Sequence, residues 1–269
     1  MHSLARQVRF WIEPFGCEPA GGYNSYAGRP CGVGLGLYLA LWVHLSSEPD
    51  RQTGFIINVS QIDERVRSEI VPFFSRRIGD CFKRRLQPGL EFFYALMLDS
   101  LELVKKDFAP LKLEALEVEL NPYRKISLTA ENPVMITFTE KFEFAAMHRL
   151  WNQSFSPEEN AAAFGKCANP TGHGHNYILD VAVRISDTKP ATSWLEKFEE
   201  IVQKEFLSIV DHKNLNIDVP QFGRDNPTVE NIASFAWSCL NGKFLNCRLE
   251  KITVWENDRT YCTYTNKEK

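Results

Sequence analysis

The chain has 269 residues, 44% of them hydrophobic, so it can bury one large core or two ordinary cores of about 130 residues each. Its net charge of −3 gives no overall attraction to nucleic acid or membrane. No apolar run approaches the ~18 residues of a membrane span, and Arg6, Arg9 and Glu13 interrupt the N-terminus where a signal peptide needs apolar sequence. Seven cysteines without a CxxC pair indicate reduced thiols, so the expected compartment is the cytoplasm.

In chain order, the pattern predicts two series of elements, each with two strands, a helical middle and two strands. The first series has strands at 8–15 and 35–45, helices at 60–74 and 92–106, and a hairpin at 113–120 and 125–129. The second has strands at 135–145 and 176–185, helices at 194–209 and 229–240, and strands at 249–255 and 259–264. The predicted fold class is therefore α+β, with antiparallel sheets covered by paired helices.

The two series also share weak sequence similarity. Leu113 to Thr129 aligns without gaps with Leu249 to Thr265, and Gly34 to Val43 aligns with Gly172 to Val181. Because the offsets at the two ends are similar, the sequence predicts two copies of one domain, over residues 1–130 and 131–269.

A metal-ligand pattern lies in the second copy. His173 and His175 are two residues apart, so in a strand their side chains leave the same face. If the strand-like run 142–150 pairs antiparallel with theirs, His148 joins them in a set suited to zinc, with a fourth position open for water or substrate. Two alternatives remain at this stage: Cys167 closes the site as a structural zinc ligand, or no metal binds.

Four ordered motifs resemble those of the 6-pyruvoyl-tetrahydropterin synthase family. They are Phe-Gly-Lys-Cys-x5-His-Gly-His-Asn-Tyr at 164–177, Val-Asp-His-Lys-Asn-Leu-Asn at 210–216, Pro-Thr-Val-Glu-Asn at 227–231 and Val-Trp-Glu-Asn-Asp at 254–258. The resemblance covers roughly residues 134–265. It implies the T-fold, a ββααββ unit whose sheets join across subunits into a barrel.

The candidate proton-transfer group is the Cys167 thiol. A thiolate can move protons if its pKa is lowered, and a paired imidazole such as His212 favours the thiolate. Asp211 would orient that imidazole, although sequence neighbours ordinarily point in different directions. The other interpretation of Asp211 and His212 is an exposed polar helix end. The resemblance implies catalytic roles for all three residues, with the Asp-His pair reaching the Cys of a neighbouring subunit.

The candidate substrate-binding residues are Glu256, Thr228 and Glu230. A fixed carboxylate accepts two parallel hydrogen bonds from a ring N–H and an exocyclic amine, the edge that a pterin presents. The resemblance implies this anchoring role for Glu256. The run Pro227 to Glu230 is equally typical of a capped helix start with Thr228 as N-cap, so helix capping and ligand contact both remain open.

The resemblance implies a zinc-dependent lyase that converts 7,8-dihydroneopterin triphosphate to 6-pyruvoyl-tetrahydropterin and eliminates triphosphate. Magnesium is expected with the triphosphate, although no dedicated motif for it is visible. The alternative is the sister enzyme 6-carboxy-tetrahydropterin synthase of the deazaguanine pathway, but the five residues between Cys167 and His173 favour the pyruvoyl-forming group, because the sister commonly has three. An alternative of another class is a non-catalytic pterin-binding or scaffold protein.

The first copy lacks the residues of this site. In the alignment Leu35 and Leu37 take the places of His173 and His175, and Leu120 takes the place of Glu256, so the first copy is expected to be metal-free and structural. Its strands would pair with those of other copies, and the expected assembly is a homo-oligomer, a trimer of two-domain chains. A rival hypothesis, that this copy binds a separate effector, has no residue in the sequence to favour it.

Overall fold

The computed structural model describes residues 1–15, 24, 26–32, 36–185 and 193–266. The chain divides into two compact units. Unit 1 comprises Met1–Phe138 with Ile185–Pro190, and unit 2 comprises Thr139–Arg184 with Ala191–Lys269. Among the described residues, no helix has the length and apolar character required to cross a membrane.

Unit 1 contains four antiparallel strands in the order β1-β2-β3-β4. The strands are β1 (His2–Ile12), β2 (Leu37–Ser47), β3 (Lys112–Asn121) and β4 (Arg124–Thr129). The helices are α1 (Val59–Arg65), which continues through a π-helical turn (Val66–Ile70) into α2 (Val71–Lys83), and α3 (Leu90–Val104). The aligned Leu35 lies outside the described residues, whereas Leu37 begins β2.

The core of unit 1 follows from alternation along its strands. Val8, Phe10 and Ile12 of β1 are buried on one face, and the Phe10 ring packs edge-on against Phe74 of α2 with centroids 5.8 Å apart. The helix predicted to end at Phe74 continues to Lys83. Buried Ile78 extends the apolar face by one turn, and the basic residues Arg76, Arg77 and Lys83 lie on this helix.

Unit 2 has a sheet in the order β5-β6-β8-β9, and the short strand β7 pairs in parallel with β5. The strands are β5 (Ile136–His148, in unit 2 from Thr139), β6 (His173–Ile185), β7 (Lys213–Asn214), β8 (Cys247–Asn257) and β9 (Thr260–Tyr264). The helices are α4 (Pro157–Phe164), α5 (Trp194–Val202), α6 (Ser208–Val210), α7 (Leu215–Asp218) and α8 (Val229–Leu240). A π-helical turn (Gln203–Leu207) joins α5 to α6, and short 3₁₀ turns follow α4 (Gly165–Ala168) and α7 (Pro220–Gly223).

The predicted α+β class is confirmed, and the differences in unit 2 concern the site. Strand β5 runs three residues beyond its predicted end, to His148, and β6 begins three residues earlier than predicted, at His173. Helix α4 was not predicted, although Ser156 and Glu159 form a capping box at its start. These two strand ends and this helix carry or adjoin the metal-ligand pattern.

Two local irregularities occur at corresponding places in the two units. A bulge in the β3–β4 hairpin leaves Leu120 without a partner, and a bulge in the β8–β9 hairpin leaves Glu256 without one. In each unit the first long helix contains a five-residue π-helical turn, at Val66–Ile70 and at Gln203–Leu207. The spacing is 136 residues between the bulges and 137 between the turns, which matches the sequence offsets.

Candidate metal centre

Three imidazoles meet where β5 ends and the neighbouring strand β6 begins. His148 is the last residue of β5, and His173 and His175 lie on one face of β6. The ring centroids are 4.5 Å apart for His148 and His173, 5.1 Å for His148 and His175, and 4.7 Å for His173 and His175. The structure therefore brings together all three of the predicted metal ligands.

Gly172 allows the close approach of these strand ends. Its φ of +69° lies in the left-handed region, and a Cβ on it would lie 2.8 Å from the carbonyl oxygen of His148. Any other residue here would push the start of β6 away from the end of β5.

The nitrogens of the three rings form a donor set for a metal ion. One ligand atom from each ring lies within 4.8 Å of the others, and His148 Nε2 is 3.0 Å from His173 Nε2. His148 Nδ1 lies 2.7 Å from the carbonyl oxygen of Pro227, so Nδ1 carries the hydrogen and Nε2 keeps its lone pair. His175 Nε2 is buried and has no hydrogen-bond partner among the described residues. These converging lone pairs fit a divalent cation.

The surroundings of His148 and His175 favour the neutral form of each ring. Burial lowers the pKa of His148, and the neighbouring His173 and His175 rings add to this effect, against the Pro227 carbonyl and Glu256. Burial also lowers the pKa of His175, against the carboxylate of Glu256. A neutral imidazole is the form that donates a lone pair to a metal.

Glu256 lies beside the imidazoles. Its Oε1 is 3.5 Å from His175 Nε2 and 3.7 Å from His148 Nε2, and its side chain is 20% exposed. The bulge takes residue 256 out of the backbone pairing between β8 and β9. Its side chain is directed towards the imidazoles.

Cys167 lies close to the cluster but is not a member of the donor set. It sits in the 3₁₀ turn after α4, and its carbonyl accepts a hydrogen bond from Leu150 N at 2.9 Å. The side chains close enough together to share a metal ion are the three imidazoles, and the alternative in which Cys167 is a fourth ligand stays untested. Burial and the nearby Glu256 carboxylate raise the pKa of the Cys167 thiol, so it is protonated in a single chain.

Asp211 and His212 form a pair anchored to β5. His212 Nδ1 is 3.0 Å from Asp211 Oδ1, and the same oxygen accepts a hydrogen bond from Ala145 N at 2.9 Å. Direct contact between sequence neighbours was not expected. It arises because the backbone of His212 is left-handed, with φ +56°, while its N–H donates to the Ala145 carbonyl.

The Asp211–His212 pair does not meet Cys167 within the chain. The His212 side chain is 82% exposed and lines an open groove of 430 Å³, whose other lining residues include Ala145, Met147, His175 and Asn176. Within the described chain, no contact joins Cys167 to His212.

Thr228 and Glu230 begin helix α8. Thr228 Oγ1 accepts a hydrogen bond from Asn231 N at 3.3 Å, which confirms the N-cap interpretation. Glu230 lies in the first turn and acts electrostatically on Cys262, whose pKa is raised mainly by burial. The residue at this helix start that contacts the cluster is Pro227, which sequence reasoning did not single out.

Sequence reasoning also missed three asparagines that hold residues 149–152, the segment after His148. Asn216 Oδ1 accepts from Arg149 N at 2.7 Å, and Asn226 Oδ1 accepts from Trp151 N at 2.8 Å. Asn160 is fully buried, and its Oδ1 accepts from the main-chain N–H of residue 152 at 2.7 Å. Asn216 is the last residue of the motif at 210–216, whereas no motif or pattern in the sequence indicated a role for Asn160.

An α+β unit with three converging imidazoles on adjacent strands, a carboxylate beside them and a thiol nearby defines a protein with a candidate catalytic metal centre. Residues 137–267 match the family model described as 6-pyruvoyl tetrahydropterin synthase. The chain belongs to this family.

Individual relatives each match about half of the chain. The 6-pyruvoyl tetrahydrobiopterin synthase of Homo sapiens is 37% identical over 129 residues, which are 47% of this chain and 88% of that protein. The Dictyostelium discoideum protein of that name is 30% identical over 131 residues, 48% of this chain and 95% of that protein. A solved structure of the Caenorhabditis elegans 6-pyruvoyl tetrahydropterin synthase is 33% identical, covers 49% of this chain and 96% of that chain, and has a TM-score of 0.45.

Proposed function

We propose that unit 2 is a zinc-dependent lyase of the 6-pyruvoyl tetrahydropterin synthase type, which converts 7,8-dihydroneopterin triphosphate to 6-pyruvoyl-tetrahydropterin and eliminates triphosphate. The observation that carries this proposal is the convergence of three imidazoles beside a carboxylate. The names of the relatives supply the reaction. Magnesium would accompany the triphosphate of the substrate.

His148, His173 and His175 would hold the zinc ion, with the ring of His148 oriented by the Pro227 carbonyl. When bound, zinc supplies a Lewis acid that makes protons near coordinated hydroxyls more acidic. Glu256 would accept hydrogen bonds from the ring N–H and the exocyclic amine of the pterin, which sets the distance between the pterin ring and the imidazoles. Thr228 would contact ligand in addition to its capping role, and Glu230, in the first turn of the same helix, would be a second contact.

Cys167 would move protons between carbon atoms of the substrate side chain. For this the thiol needs a partner that favours the thiolate, because burial and Glu256 raise its pKa in the single chain. The exposed His212, held by Asp211, has the chemistry of that partner. We therefore place Asp211 and His212 at the Cys167 of a neighbouring subunit in a homo-oligomer, a trimer of two-domain chains.

We further propose that unit 1 is a second, metal-free copy of the same T-fold unit, and that it provides strands for a barrel formed between subunits. The matched bulges and π-helical turns support the duplication. At the bulge of unit 1, Leu120 offers no carboxylate.

The test is incubation of the purified full chain with zinc and 7,8-dihydroneopterin triphosphate, followed by mass spectrometry of the pterin product. The expected product is 6-pyruvoyl-tetrahydropterin, with triphosphate released. A product with a carboxylate on the ring carbon would instead identify the 6-carboxy sister enzyme. Absence of turnover, together with less than about a third of an equivalent of zinc per chain, would favour the non-catalytic alternative.

A further inference from the structure

We propose that unit 1 contains a binding site for an oligophosphate carried on a planar ring, as in a nucleoside triphosphate. The site, here called the arginine pocket, is a cavity of 390 Å³ that lies wholly within unit 1. This volume is within the range of small-molecule sites, about 300–1,000 Å³. Its principal lining residues are Arg6, Arg9, Arg67, Tyr26, Trp42 and Asp63.

The three guanidinium groups are held in place by partners on the protein. Arg6 Nε and Nη2 donate to the two carboxylate oxygens of Asp63 at 2.8 and 2.7 Å. Arg9 Nε donates to the Gln7 side chain at 2.7 Å. Arg67 Nη1 donates to the main-chain carbonyls of Arg9 and Arg29. A ligand would therefore meet a preformed set of cations and lose little side-chain entropy on binding.

The pocket has a surplus of positive charge. Asp63 is the one carboxylate among the described lining residues, against three arginines. Glu119 lies nearby and accepts hydrogen bonds from the neutral donors Trp42 Nε1 at 2.7 Å and Gln7 Nε2 at 3.4 Å, so counting its charge with that of Asp63 still leaves the three arginines in surplus. Burial lowers the pKa of Arg67, and the charges of Arg29 and Arg6 act in the same direction, against Asp63. Such surplus cationic charge favours a polyanion.

The arginines retain donors for that anion. Among the described residues, the protein contacts of Arg67 use Nη1 only, those of Arg9 use Nε and Nη1, and those of Arg6 use Nε and Nη2. The remaining N–H groups match the planar, bidentate recognition of phosphate oxygens. Arg67 belongs to the π-helical turn of unit 1, a local distortion that is frequent at functional sites.

Aromatic rings line the same cavity. The guanidinium of Arg9 lies over the Tyr26 ring at 4.1 Å from its centroid, and the Trp42 indole forms part of the wall. A planar ring attached to the phosphates would gain contact area from these side chains. The combination of guanidinium and aromatic groups is the reason for assigning a ring-bearing oligophosphate rather than free phosphate.

The experiment is a calorimetric titration of the full chain, at low salt, with inorganic triphosphate and separately with ATP. We expect wild-type protein to bind both probes, ATP the more tightly, with affinities that fall as NaCl is added. Arg67→Gln and Arg9→Gln should weaken ATP binding at least about tenfold, since each removes charge-assisted hydrogen bonds. Arg77→Gln, at an exposed arginine on α2, is the matched control and should bind like wild type.

Arg9→Gln keeps the proposal testable if Arg67→Gln fails to fold. The Arg9 side chain donates to one main-chain carbonyl, whereas Arg67 donates to two. All the substitutions lie in unit 1. Any binding of triphosphate to unit 2 is therefore the same in wild type and variants, and differences in affinity between them report on unit 1. Affinities of both variants equal to the Arg77→Gln control would overturn the site. Equal affinities of wild type for ATP and inorganic triphosphate would overturn the assignment of a ring to the ligand.

Discussion

The hydrogen on His148 Nδ1 determines what the imidazole cluster can do. Because the Pro227 carbonyl accepts that hydrogen, the Nε2 lone pair points towards the other two rings. Burial favours the neutral forms of His148 and His175, so these two rings meet an incoming cation without first releasing a proton. The metal affinity of the site thus depends on main-chain geometry as well as on the three side chains.

Removing one imidazole should abolish metal binding. In His173→Ala two ring nitrogens remain, too few to hold zinc against solvent, so we expect bound zinc to fall from about one equivalent per chain to below about a tenth. Elemental analysis after dialysis measures this. His2→Ala, at an exposed histidine in unit 1, is the control and should keep its zinc. Full zinc content in His173→Ala would show that the three imidazoles are not the site.

Gly172→Ala should disrupt the same site through the main chain. Its Cβ would lie 2.8 Å from the His148 carbonyl oxygen, whereas a Cβ at Gly242, with a similar φ of +76°, would meet nothing within 4 Å. Both substitutions place a Cβ on a residue with left-handed backbone, which lowers the unfolding free energy by about 1 kcal/mol. Only Gly172→Ala should also displace a candidate metal ligand, His148. We therefore expect zinc loss in Gly172→Ala and zinc retention in Gly242→Ala. Equal zinc contents would contradict the role assigned to Gly172.

Asp211 should make stability depend on pH in the acid range. Burial opposes its ionisation, but the Ala145 amide and His212 outweigh this effect, so its pKa is lowered from the usual 3.8. The unfolded chain then binds protons more readily, so the contribution of Asp211 is complete above about pH 4 and is lost as pH falls through the lower, folded-state value.

Urea unfolding of wild type and Asp211→Asn between about pH 2 and 7 tests this dependence. The difference in unfolding free energy should be constant at neutral pH and shrink in acid. Asp258→Asn, at an exposed carboxylate, is the control. A difference in unfolding free energy that does not change with pH would show that Asp211 stabilises the fold by packing and hydrogen bonding, independently of its charge.

At the scale of elements, helix α4 places Cys167 relative to β5. The helix leads directly into the 3₁₀ turn that carries the thiol, and Leu150 N ties that turn to the segment after His148. Asn160 ties the helix to the same segment by accepting from the main-chain N–H of residue 152 and donating to the carbonyl of that residue at 3.0 Å. The candidate metal ligand His148 and the Cys167 thiol are therefore both positioned by hydrogen bonds to the segment 149–152.

Asn160→Ala should weaken this support. The substitution removes the partner of the part-buried N–H and carbonyl of residue 152 and leaves a cavity at a buried position, which costs about 2–4 kcal/mol in unfolding free energy. Urea denaturation measures the loss, and Asn132→Ala, at an exposed asparagine in unit 1, should change stability by less than about 0.5 kcal/mol. Equal stabilities of the two variants would mean that α4 is held by its other contacts.

The main strands and helices were predictable because apolar residues alternate or recur along them. The extension of β5 to His148 was predicted only in part: the run 142–150 was strand-like, but the strand was given an end at residue 145, because three residues at a strand end give little periodic signal and pairing with β6 decides the boundary. Helix α4 is short and rich in alanine, so its capping box was the only indication of it. The contact of Asp211 with His212 required a left-handed residue that is not glycine, which sequence pattern does not reveal.

At the scale of the whole molecule, the separation of Cys167 from the Asp211–His212 pair leads to a complementation experiment. If each site takes its thiol from one chain and its imidazole from another, Cys167→Ala and His212→Ala should each be inactive as homo-oligomers. Mixed oligomers, obtained by co-expression with different affinity tags, should regain part of the activity, because some interfaces combine two intact contributions. Mixed oligomers as inactive as the parents would place all three residues of a site in one chain.

The unpaired bulge positions affect which substitutions each hairpin can accept during evolution. A residue that is not paired across the hairpin can be exchanged with little effect on the pairing of its neighbours, and this position is leucine in unit 1 and glutamate in unit 2. One half could thus give up ligand recognition by few side-chain replacements and keep its shape intact. The same freedom makes position 120 a natural place to graft an acidic group by design.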